Sequence, residues 1–508
     1  MQKLYSQCLE EENIEKAIHT VFSHTGAKTA GADGISKTSN ITQERIIKEV
    51  KLRLRRYRPV QSRKVQIPKG TGEYRELTII NLFDRIAQQA VYQIIAPILE
   101  KEMSKHSYGF RKGIGTKIPV SKMADVLLHA KDIYTVELDF KKCFDNIPLE
   151  KAIGAMKEMG IKNFQLLRTI KHLMWTSKEY LGVGLSQGTI LGPLLANCYL
   201  TKLDKFVGET FEINNRDRNY ISNYQRHKDD WIQWNMQRGK KICCKYYRYA
   251  DDTFIICHNI EEQKYITETI SRFISQELDI ELNEEKSNFR HNEIHYLGFK
   301  LIKNKRSIWI FIDKPKQLRA KLKKFKFKTY EQCHEFMKWL RGILNYFDIV
   351  NDMSKMIQQI IERMYYRSNK NLVLRKVDNV YQYGKGTNLV IIDVYTLRKM
   401  TRVSYKEYIF GNQWLERREA LKQKATRSEY DGTYQYVWAL WTKQKGKDAV
   451  TGEKLNPTDI NIHHVKPRAK GGKNEINNLI LVSSKTHYLI HNGKNLDRRY
   501  EKYQKHLK

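Results

Sequence analysis

The sequence predicts a multidomain α+β protein, and three observations support this prediction. The chain has 508 residues, which is more than a single hydrophobic core usually accommodates. Segments with apolar residues at helical spacing alternate with short strand patterns along most of its length. After residue 430 the composition changes, because histidine and glycine become prominent. We therefore expect several domains, with a separate unit at the C-terminus.

The predicted elements follow in chain order. Residues 1–60 are expected to be helical around a glycine-rich turn, and residues 82–100 to form an amphipathic helix. Residues 133–140 and 295–302 have strand patterns, and Pro148 marks the start of a helix. Six apolar residues then define one helix face: Phe336, Met337, Leu340, Ile343, Leu344 and Phe347. Residues 366–405 have mixed signals and are expected to join domains.

The net charge of the chain indicates the class of its partners. There are 91 Lys and Arg residues against 56 Asp and Glu, which gives a net charge of +35. This excess is far beyond what solubility requires, and it favours a polyanion partner, most often nucleic acid. Residues 51–70 and 314–328 each hold eight basic residues and no acid. The alternative is a basic surface without a specific partner.

Cysteine usage and apolar patterning indicate the compartment. The chain has seven cysteines, none of them in a CxxC pair and none beyond Cys333. This argues against a disulfide framework and against a cysteine zinc site. No segment approaches the run of ~18 apolar residues that spans a membrane, and the N-terminus does not resemble a signal peptide. We expect an intracellular protein, cytoplasmic in a bacterium or located in an organelle, that is not secreted and has no membrane partner.

Two adjacent aspartates interrupt a strand-like run, YRYADDTFIIC, at residues 247–257. Like charges in a partly buried place repel each other and lose hydration, so Asp251 and Asp252 require compensation, usually by a divalent metal ion. The alternative is a hairpin turn that happens to contain two aspartates. Nucleotidyl transfer uses two metal ions held by several carboxylates. Asp139, at the end of the strand pattern in VELDFKKCFDNI, is the candidate third ligand, although it could be an ordinary acid at a strand end.

Several motifs resemble those of one enzyme family. ELDFKKCFDNI, GLSQGTILGPLLANCYL, YADD, LNEEKSNF and YLGF occur in the order of the palm motifs of reverse transcriptases. IPKGTGEYRELTIINLFDRIAQQAVYQIIAPILE and SYGFRKGIGT resemble the fingers of the branch encoded by group II introns. TAGADGI resembles the N-terminal extension of that branch, and WLRGILNYF its thumb, or maturase domain X. The resemblance covers about residues 10–370.

The resemblance implies a right-hand polymerase with fingers, an antiparallel palm sheet and a helical thumb. It implies Mg²⁺ held by Asp139, Asp251 and Asp252. It also assigns nucleotide contacts: Lys69 and Arg75 to the triphosphate, Phe144 as the screen against a 2′ hydroxyl, Gln187 and Gly188 to the templating base and nucleotide, and Lys286 as a proton donor to pyrophosphate. Ser186 and Thr189 depart from the Pro and Gly common in the family, so the rigidity of that loop is expected to differ.

The C-terminal stretch VTGEKLNPTDINIHHVKPRAKGGKNEINNLILVSSKTHYLIHN resembles the HNH, or ββα-metal, nuclease fold. His487 and His491 are four residues apart and lie on one face of a predicted helix, a spacing common among metal ligands. By this resemblance, His464 is the general base, a role that an imidazole suits at neutral pH. His463, His487 and His491 hold one divalent metal, Mg²⁺ or Zn²⁺, and Asn478 orients the loop that carries the base.

Two features qualify the HNH assignment. The cysteine zinc knuckle common in intron-encoded HNH domains is missing, since Ala449, Thr451 and Lys485 stand in its neighbourhood; stability is therefore expected to come from packing alone. The pattern is closer to the cysteine-free nuclease domains of colicins, and the alternative is a degenerate scaffold that only binds DNA.

Upstream, residues 401–447 interleave basic and aromatic residues, which suits DNA binding or an amphipathic helix packed on its neighbours.

The combined prediction is an RNA-directed DNA polymerase, maturase and DNA endonuclease of a group II intron. Its partners would be the intron RNA, target DNA and dNTPs, while the oligomeric state stays open. The predicted domains are 1–60, N-terminal extension and start of the fingers; 61–310, fingers and palm; 311–370, thumb; 371–440, linker and DNA-binding region; and 441–508, HNH endonuclease. The alternatives are a free-standing reverse transcriptase–nuclease, for example in phage defence, and a splicing factor with inactive enzyme sites.

Overall fold

The fold was analysed in a computed structural model of the chain. It describes residues 3–367 with gaps at 58–60, 69–73, 176–181, 214–219, 284–286, 306 and 352. From 368 to 439 it describes 374–377, 380–383, 390–392, 394, 404–405 and 408. From 440 to 492 the gaps are 441–442, 445, 456–459, 468–470 and 474. Most of the predicted linker and DNA-binding region, 371–440, therefore lies outside the described residues.

The described helices are α1 Lys3–Leu9, α2 Glu11–Ser23, α3 Gln43–Arg56, α4 Leu82–Glu102, α5 Lys117–His129, α6 Cys143–Asn146, α7 Leu149–Glu158, α8 Phe164–Leu173, α9 Gly192–Thr210, α10 Tyr220–Arg226, α11 Trp231–Gln237, α12 Ile260–Glu277, α13 Pro315–Leu322, α14 Tyr330–Tyr346, α15 Ser354–Arg367 and α16 Ser484–Asn492. The strands are β1 Arg63–Pro68, β2 Tyr74–Ile79, β3 Tyr134–Leu138, β4 Glu212–Ile213, β5 Cys243–Tyr249, β6 Asp252–Cys257, β7 Asn288–His291, β8 Glu293–Tyr296, β9 Phe299–Asn304, β10 Ser307–Ile312, β11 Arg375–Val377, β12 Val380–Tyr383, β13 Val390–Ile392, β14 Asn461–His464 and β15 Leu479–Val482.

The chain divides into two compact units. The first comprises residues 1–119 and 129–293, and the second comprises residues 120–128 and 294–508. This division is coarser than the five predicted domains and does not test their boundaries. No helix in the described part of the chain is both long enough and apolar enough to cross a membrane.

A five-stranded sheet organises the first unit, in the order β4-β5-β6-β3-β7. β6 lies between β5 and β3 and pairs antiparallel with both. The hydrophobic core continues from this sheet through helices α7, α9 and α12 to the N-terminal helices, with Val136, Ile255 and Leu195 all fully buried. Apart from the short parallel pair of β4 with β5, the antiparallel sheet predicted for the palm is present, and it places the end of β3 and the start of β6 at one edge.

Most predicted elements of the first unit are confirmed. α3 and α4 match the two amphipathic patterns, and Thr42 caps α3 by accepting a hydrogen bond from the backbone N–H of Arg45. The strand predicted at 133–140 is β3, and Pro148 immediately precedes α7. In α3 and α4 the apolar spacing that predicted the helix matches its buried face.

The single strand predicted at 295–302 is wrong. This stretch contains the end of β8 and the start of β9, which pair antiparallel in the sheet β10-β9-β8 of the second unit. Leu297 and Gly298 separate the strands, and both have positive φ, +50° and +82°. Two consecutive residues in this conformation reverse the chain, so an apolar run that reads as one strand folds as a hairpin.

The helix predicted around residues 336–347 is confirmed as α14. Phe336, Leu340 and Leu344 are fully buried, while Ile343 is only partly buried. Phe336 meets the rings of Phe325 and Phe327, which lie in the basic segment just before the helix. The aromatic residues of that segment therefore turn inward, and several of its lysines, including Lys323 and Lys324, stay exposed.

The C-terminal part of the second unit contains a ββα arrangement. β14 pairs antiparallel with β15, and α16 begins two residues after β15 ends. Leu479, Ile480, Leu481 and Val482 are all buried, so β15 is covered on both faces. This is the topology predicted from the HNH resemblance.

The ββα arrangement was expected to be stabilised by packing alone, and this expectation is incomplete because a buried carboxylate also stabilises it. Asp448 is 3% exposed, and its carboxylate accepts hydrogen bonds from the backbone N–H groups of Val450, Thr451 and Ser483 at 2.9, 3.2 and 2.8 Å. Burial raises the pKa of Asp448, but these bonds outweigh it and the net pKa is lowered. One carboxylate thus joins the turn at 448–452 to the residue that precedes α16.

We predict that Asp448→Asn destabilises the C-terminal unit. The amide oxygen cannot replace two charged oxygens as an acceptor for three N–H groups, so a loss of about 1–3 kcal/mol is expected. Hydrogen exchange of residues 448–452 and 479–490 in the full chain measures the effect. Glu453→Gln, the same chemical change at an exposed position, is the control. Equal exchange in both variants would contradict the role given to Asp448.

Candidate functional site

The two adjacent aspartates lie in a tight hairpin of the first unit. Tyr249 pairs with Asp252 across β5 and β6, so the loop between the strands consists of Ala250 and Asp251 only. Asp139 directly follows β3, whose last residue, Leu138, pairs with Thr253. The register therefore brings Asp139, Asp251 and Asp252 to the same edge of the sheet.

Burial and repulsion by neighbouring carboxylates destabilise the charged forms of Asp251 and Asp252. Loss of hydration raises the pKa of Asp251, and the neighbouring Asp139 carboxylate raises it further. Burial, with the negative charges of Asp251, Glu137 and Asp139, raises the pKa of Asp252 to about 7. The predicted hairpin turn is confirmed, and the turn itself brings the two carboxylates together, while their role as metal ligands stays a prediction.

Asp139 is held by a residue that the sequence reasoning did not single out. The Asn283 side-chain amide donates to Asp139 Oδ2 at 3.2 Å, and the Asn283 backbone N–H donates to the Asp139 carbonyl at 2.7 Å. Asn283 lies in the quoted motif LNEEKSNF, but an asparagine in a polar loop gives no sequence signal for this contact. Its two bonds fix both the backbone and the carboxylate of Asp139.

One of the predicted cationic residues is placed at this site. Arg75, on β2, is close enough to lower the pKa of Asp251, against the larger effect of burial. Its side chain is exposed to solvent, and its contact with a triphosphate stays a prediction. Lys69 and Lys286 lie outside the described residues.

The predicted nucleotide-contact residues 187 and 188 pack against the fingers strand. The backbone N–H of Thr78, on β2, donates to the Gln187 carbonyl at 2.7 Å. Gly188 has a φ of +109°, and a Cβ there would lie 2.3 Å from the Thr78 carbonyl oxygen. Only glycine fits this approach, so the Gln-Gly pair fixes the loop against β2.

One of the two departures in this loop, Thr189, has a structural role. The Thr189 hydroxyl donates to the Ser186 carbonyl at 2.9 Å and accepts from the Gly192 backbone N–H at 3.2 Å. Gln88, fully buried on α4, accepts from the backbone N–H of Ile190 at 2.8 Å. The loop is therefore tied down at both ends by side chains, and sequence reasoning missed Gln88 because it lies in an ordinary helix pattern.

Phe144 lies in α6, directly after the strand that leads to Asp139. The backbone N–H of Leu185 donates to its carbonyl at 2.6 Å, which links α6 to the loop that precedes α9. Its partly buried ring meets the edge of Phe110 with ring centroids 6.1 Å apart. Phe110 is 48% exposed and has a positive φ of +56°, so it presents its ring beside Phe144 from the outside.

The donor set at the hairpin fits a hard divalent cation. It consists of carboxylate oxygens, which suit Mg²⁺, and a cation would relieve the repulsion that raises the pKa of Asp251 and Asp252. In the part of the chain that the structure describes, no three Asp, Glu, His or Cys side chains are grouped closely enough to hold a metal ion. The carboxylates share one edge without converging on one point.

A second candidate site lies in the ββα arrangement. His463 is buried on β14, and its ring centroid is 5.5 Å from that of His487 on α16. His464 follows His463 on the strand and is partly buried. His491 is within α16, but its side chain lies outside the described residues. The structure thus brings two of the three predicted imidazole ligands together, one from the strand and one from the helix.

Asn478 fixes the loop that follows His464. Its side-chain carbonyl accepts from the Lys466 backbone N–H at 2.7 Å, and its amide donates to the carbonyls of Lys466 and Lys473 at 3.1 and 2.9 Å. The backbone N–H of Val465 also donates to the Asn478 carbonyl at 2.9 Å. The residue predicted to orient this loop is therefore the one that bonds to both of its arms.

Comparison with protein families covers both sites. The model of the reverse transcriptase (RNA-dependent DNA polymerase) family matches residues 67–301, and that of the HNH endonuclease family matches residues 447–493. The chain therefore contains a reverse transcriptase domain and an HNH endonuclease domain, and it is similar to proteins encoded by group II introns. Asp139, Asp251 and Asp252 lie within the first match, and the four histidines within the second.

Named relatives agree with this assignment. The group II intron-encoded protein LtrA of Lactococcus lactis is 29% identical over 58% of this chain and 56% of its own length. A Saccharomyces cerevisiae protein of COX1/OXI3 intron 2 is 26% identical over 56% of this chain and 37% of its own. Protein YkfC of Escherichia coli is 28% identical over 60% of this chain and 84% of its own. The chain thus spans about half or less of two of these relatives.

We predict that Asp252→Asn stabilises the metal-free protein at pH 8. The pKa of this carboxyl is ordinarily about 3.9 and is raised to about 7 in the fold, so folding takes up a proton between these values. Its contribution to stability therefore falls as the pH rises from about 4 to 7. The neutral amide avoids this loss. Thermal unfolding with EDTA should show a higher Tm than wild type at pH 8 and a smaller difference of the same sign at pH 5, where only part of the stability has been lost.

The control for this prediction is Asp229→Asn, which removes an exposed carboxylate of the same unit. It should leave Tm unchanged at both pH values, since surface charges contribute little. A Tm of Asp252→Asn at or below that of wild type at pH 8 would show that repulsion at the hairpin is already compensated within the chain.

Proposed function

We propose that this protein is an RNA-directed DNA polymerase, an intron RNA maturase and a site-specific DNA endonuclease. These activities would support splicing of a group II intron and its retrohoming by target-primed reverse transcription. The observation that carries the proposal is the crowded carboxylate hairpin beside Asp139, inside the reverse transcriptase match and on the same chain as an HNH match.

In the polymerase site, Asp139, Asp251 and Asp252 would hold the catalytic ions. Bound Mg²⁺ would activate the primer 3′ hydroxyl and neutralise charge on the triphosphate. Arg75 would bind the incoming triphosphate, since a cation beside a phosphoryl group lowers the energy of its charged transition state. The ring of Phe144, supported by Phe110, would leave no room for a 2′ hydroxyl. Lys69 and Lys286 complete the proposed contacts.

The loop at 187–188 would pack against the templating base and the nucleotide. Its backbone is fixed against β2 through Thr78, so β2 and this loop would act as one wall of the nucleotide site. Such a wall fixes orientation before the reaction, and orientation is a large part of the rate gain in transfer between two bound reactants.

In the nuclease site, His464 would take the proton from the attacking water. His463, His487 and His491 would hold one divalent ion, Mg²⁺ or Zn²⁺, which stabilises the scissile phosphate when bound. Asn478 would keep His464 in place by bonding both arms of the following loop. The reaction class is metal-assisted hydrolysis of a phosphodiester.

The intron RNA would be the constant partner, with target DNA and dNTPs as the transient ones. Affinity for RNA would come mainly from basic surfaces such as the exposed lysines of 314–328, which lie outside both catalytic sites. After the RNA inserts into one DNA strand, the HNH domain would cut the other, and its new 3′ end would prime synthesis. RNA binding and polymerisation would therefore depend on different residues.

We predict that Asp251→Ala abolishes DNA synthesis while splicing assistance stays nearly intact. Loss of one ligand carboxylate should lower synthesis by at least about 10²–10³-fold, the scale at which charge stabilisation of a transition state is lost. Incorporation on poly(rA) with an oligo(dT) primer, and self-splicing of the intron RNA with and without protein, are the two measurements.

Asp279→Ala, which removes an exposed carboxylate of the same unit, is the control and should retain both activities. Synthesis by Asp251→Ala at the control rate would overturn the polymerase assignment. Wild-type protein that assists splicing but makes no DNA would favour a splicing factor with inactive sites. Synthesis without any effect on splicing would favour the free-standing reverse transcriptase–nuclease.

We predict that His464→Ala stops cleavage of the second DNA strand while the metal stays bound. His464 is proposed as the base and not as a ligand, whereas His491→Ala should lose metal as well as cleavage. The measurement is strand-specific cleavage of an end-labelled target duplex by the reconstituted ribonucleoprotein, together with metal content. First-strand insertion should survive both changes, because that step is RNA chemistry.

His19→Ala, which changes an exposed histidine of the N-terminal helices, is the control for general effects of the substitution. Second-strand cleavage that persists in His464→Ala would show that another group is the base. Loss of metal from His464→Ala would instead make this residue a ligand.

A further inference from the structure

The largest completely buried side chain of the first unit is a charged one, Arg248, on β5 three residues before Asp251. Its guanidinium is 0% exposed and forms a two-point ion pair with Asp204, from Nε to Oδ1 at 2.8 Å and from Nη2 to Oδ2 at 2.7 Å. Nη1 donates to Asn197 Oδ1 at 3.0 Å and to the Ala250 carbonyl at 2.9 Å. Four of the five N–H donors are thus satisfied, which a buried charge requires.

The partners of Arg248 are themselves fixed. Asp204 and Asn197 are seven residues apart on α9 and so lie on one face of that helix, two turns apart. The Tyr246 hydroxyl donates to Asp204 Oδ1 at 2.8 Å, and the Asn197 amide donates to the Gly109 carbonyl at 2.7 Å. The cluster therefore connects α9, β5 and the loop that precedes α5.

This cluster acts on a strained turn. Ala250 is the first of the two loop residues and has a φ of +59°, a left-handed conformation that residues with a Cβ disfavour. Gly109 packs directly beneath it, since a Cβ at position 109 would lie 2.2 Å from the Ala250 nitrogen. The backbone N–H of Tyr108 donates to the Arg248 carbonyl at 2.7 Å. The conformation of the turn is therefore maintained by these contacts with the rest of the unit, because the intrinsic backbone preference of Ala250 does not favour it.

The Ala250 carbonyl belongs to the peptide bond that leads into Asp251. A hydrogen bond to this oxygen fixes the plane of that peptide and, with it, the direction in which the Asp251 side chain leaves the backbone. Asp252 follows directly and is held by its pairing with Tyr249. Arg248 thus bonds to the carbonyl of Ala250, and the orientation of this peptide bond influences the direction of the Asp251 side chain.

We propose that Arg248 is a positioning residue of the polymerase site. By bonding the Ala250 carbonyl while anchored to Asp204 and Asn197, its guanidinium fixes the hairpin geometry in which Asp251 and Asp252 receive divalent cations. The functional part rests on the proposed polymerase function. The geometric part, a hairpin ordered by Arg248, stands by itself and is tested separately.

Arg248→Lys isolates this role, because lysine keeps the charge but not the fork. A single ammonium cannot bond both oxygens of Asp204 and also reach the Ala250 carbonyl. In the full-length, metal-free chain, hydrogen exchange of residues 249–253 should become about tenfold faster, the effect expected for loss of one net hydrogen bond. The Mn²⁺ concentration for half-saturation, followed by electron paramagnetic resonance without nucleotide, should rise several-fold. DNA synthesis should show a lower kcat at an unchanged KM for the template–primer.

Arg85→Lys is the matched control. Arg85 also uses three guanidinium nitrogens, which donate to the carbonyls of Ile80, Gly26 and Thr29 at 2.8, 2.8 and 2.6 Å, but it lies outside both sites. It should lose stability without changing exchange at 249–253 or Mn²⁺ affinity.

A second variant covers the case in which Arg248→Lys does not fold. Asn197→Ala leaves the ion pair with Asp204 intact and removes only one acceptor of Nη1 and the link to Gly109. Compared with Arg248→Lys, it should give a smaller increase in the exchange rate of residues 249–253 and a smaller decrease in Mn²⁺ affinity.

The outcomes separate the two proposals. Hairpin exchange that equals wild type in Asn197→Ala and in folded Arg248→Lys would overturn the positioning role. Faster exchange with unchanged Mn²⁺ affinity would overturn it as well, since the ordered hairpin would then have no consequence for cations. Faster exchange and weaker Mn²⁺ binding in a protein whose wild type makes no DNA would support the positioning role and refute the polymerase function.

Discussion

Repulsion between neighbouring carboxylates in a half-buried turn is the constraint around which the first unit is arranged. A two-residue hairpin is the shortest connection between antiparallel strands, and here it carries Asp251 in the loop and Asp252 at the first strand position. β3 adds Asp139 at the same edge. Burial and repulsion make the charged forms of Asp251 and Asp252 unfavourable in the absence of a cation, as the raised pKa of both carboxyls shows. The arrangement is stable only because the surrounding fold is stable, as is common at functional sites.

The backbone conformation of the hairpin and the charge of its carboxylates are stabilised in different ways. The backbone of the hairpin is fixed by Arg248 from inside and by Gly109 from below, so its strained φ is maintained by contacts within the chain. The charge is compensated only in part, because Arg75 and Arg248 lower the pKa of Asp251 but burial and Asp139 raise it more. A turn whose backbone is fixed and whose carboxylates favour the protonated form is suited to bind a cation, since a cation would stabilise the charged form. The ββα arrangement shows the opposite case, in which the Asp448 carboxylate is fully occupied by backbone N–H groups and serves stability.

Sequence reasoning predicted the parts of the fold that depend on local pattern. Apolar spacing located α3, α4 and α14, and the adjacent aspartates located the hairpin. It failed at residues 295–302, where two positive φ values divide one apolar run into two strands. It also missed Asn283, Gln88 and Arg248, whose side chains are anchored to partners between 44 and 144 residues away in the chain. Such contacts leave no periodic signal, so a single sequence cannot show them.

The central claim is that the hairpin carboxylates form a cation site in which Asp252 is partly protonated until the cation binds. Titration calorimetry with Mn²⁺ tests it most directly, at pH 7 in two buffers of different ionisation enthalpy. With the pKa of Asp252 at about 7, close to half a proton should be released for each Mn²⁺ bound at this site, and almost none at pH 9. Asp252→Asn should abolish the buffer dependence. Binding heats that are identical in the two buffers at pH 7, or equal proton release by Asp252→Asn, would contradict the claim.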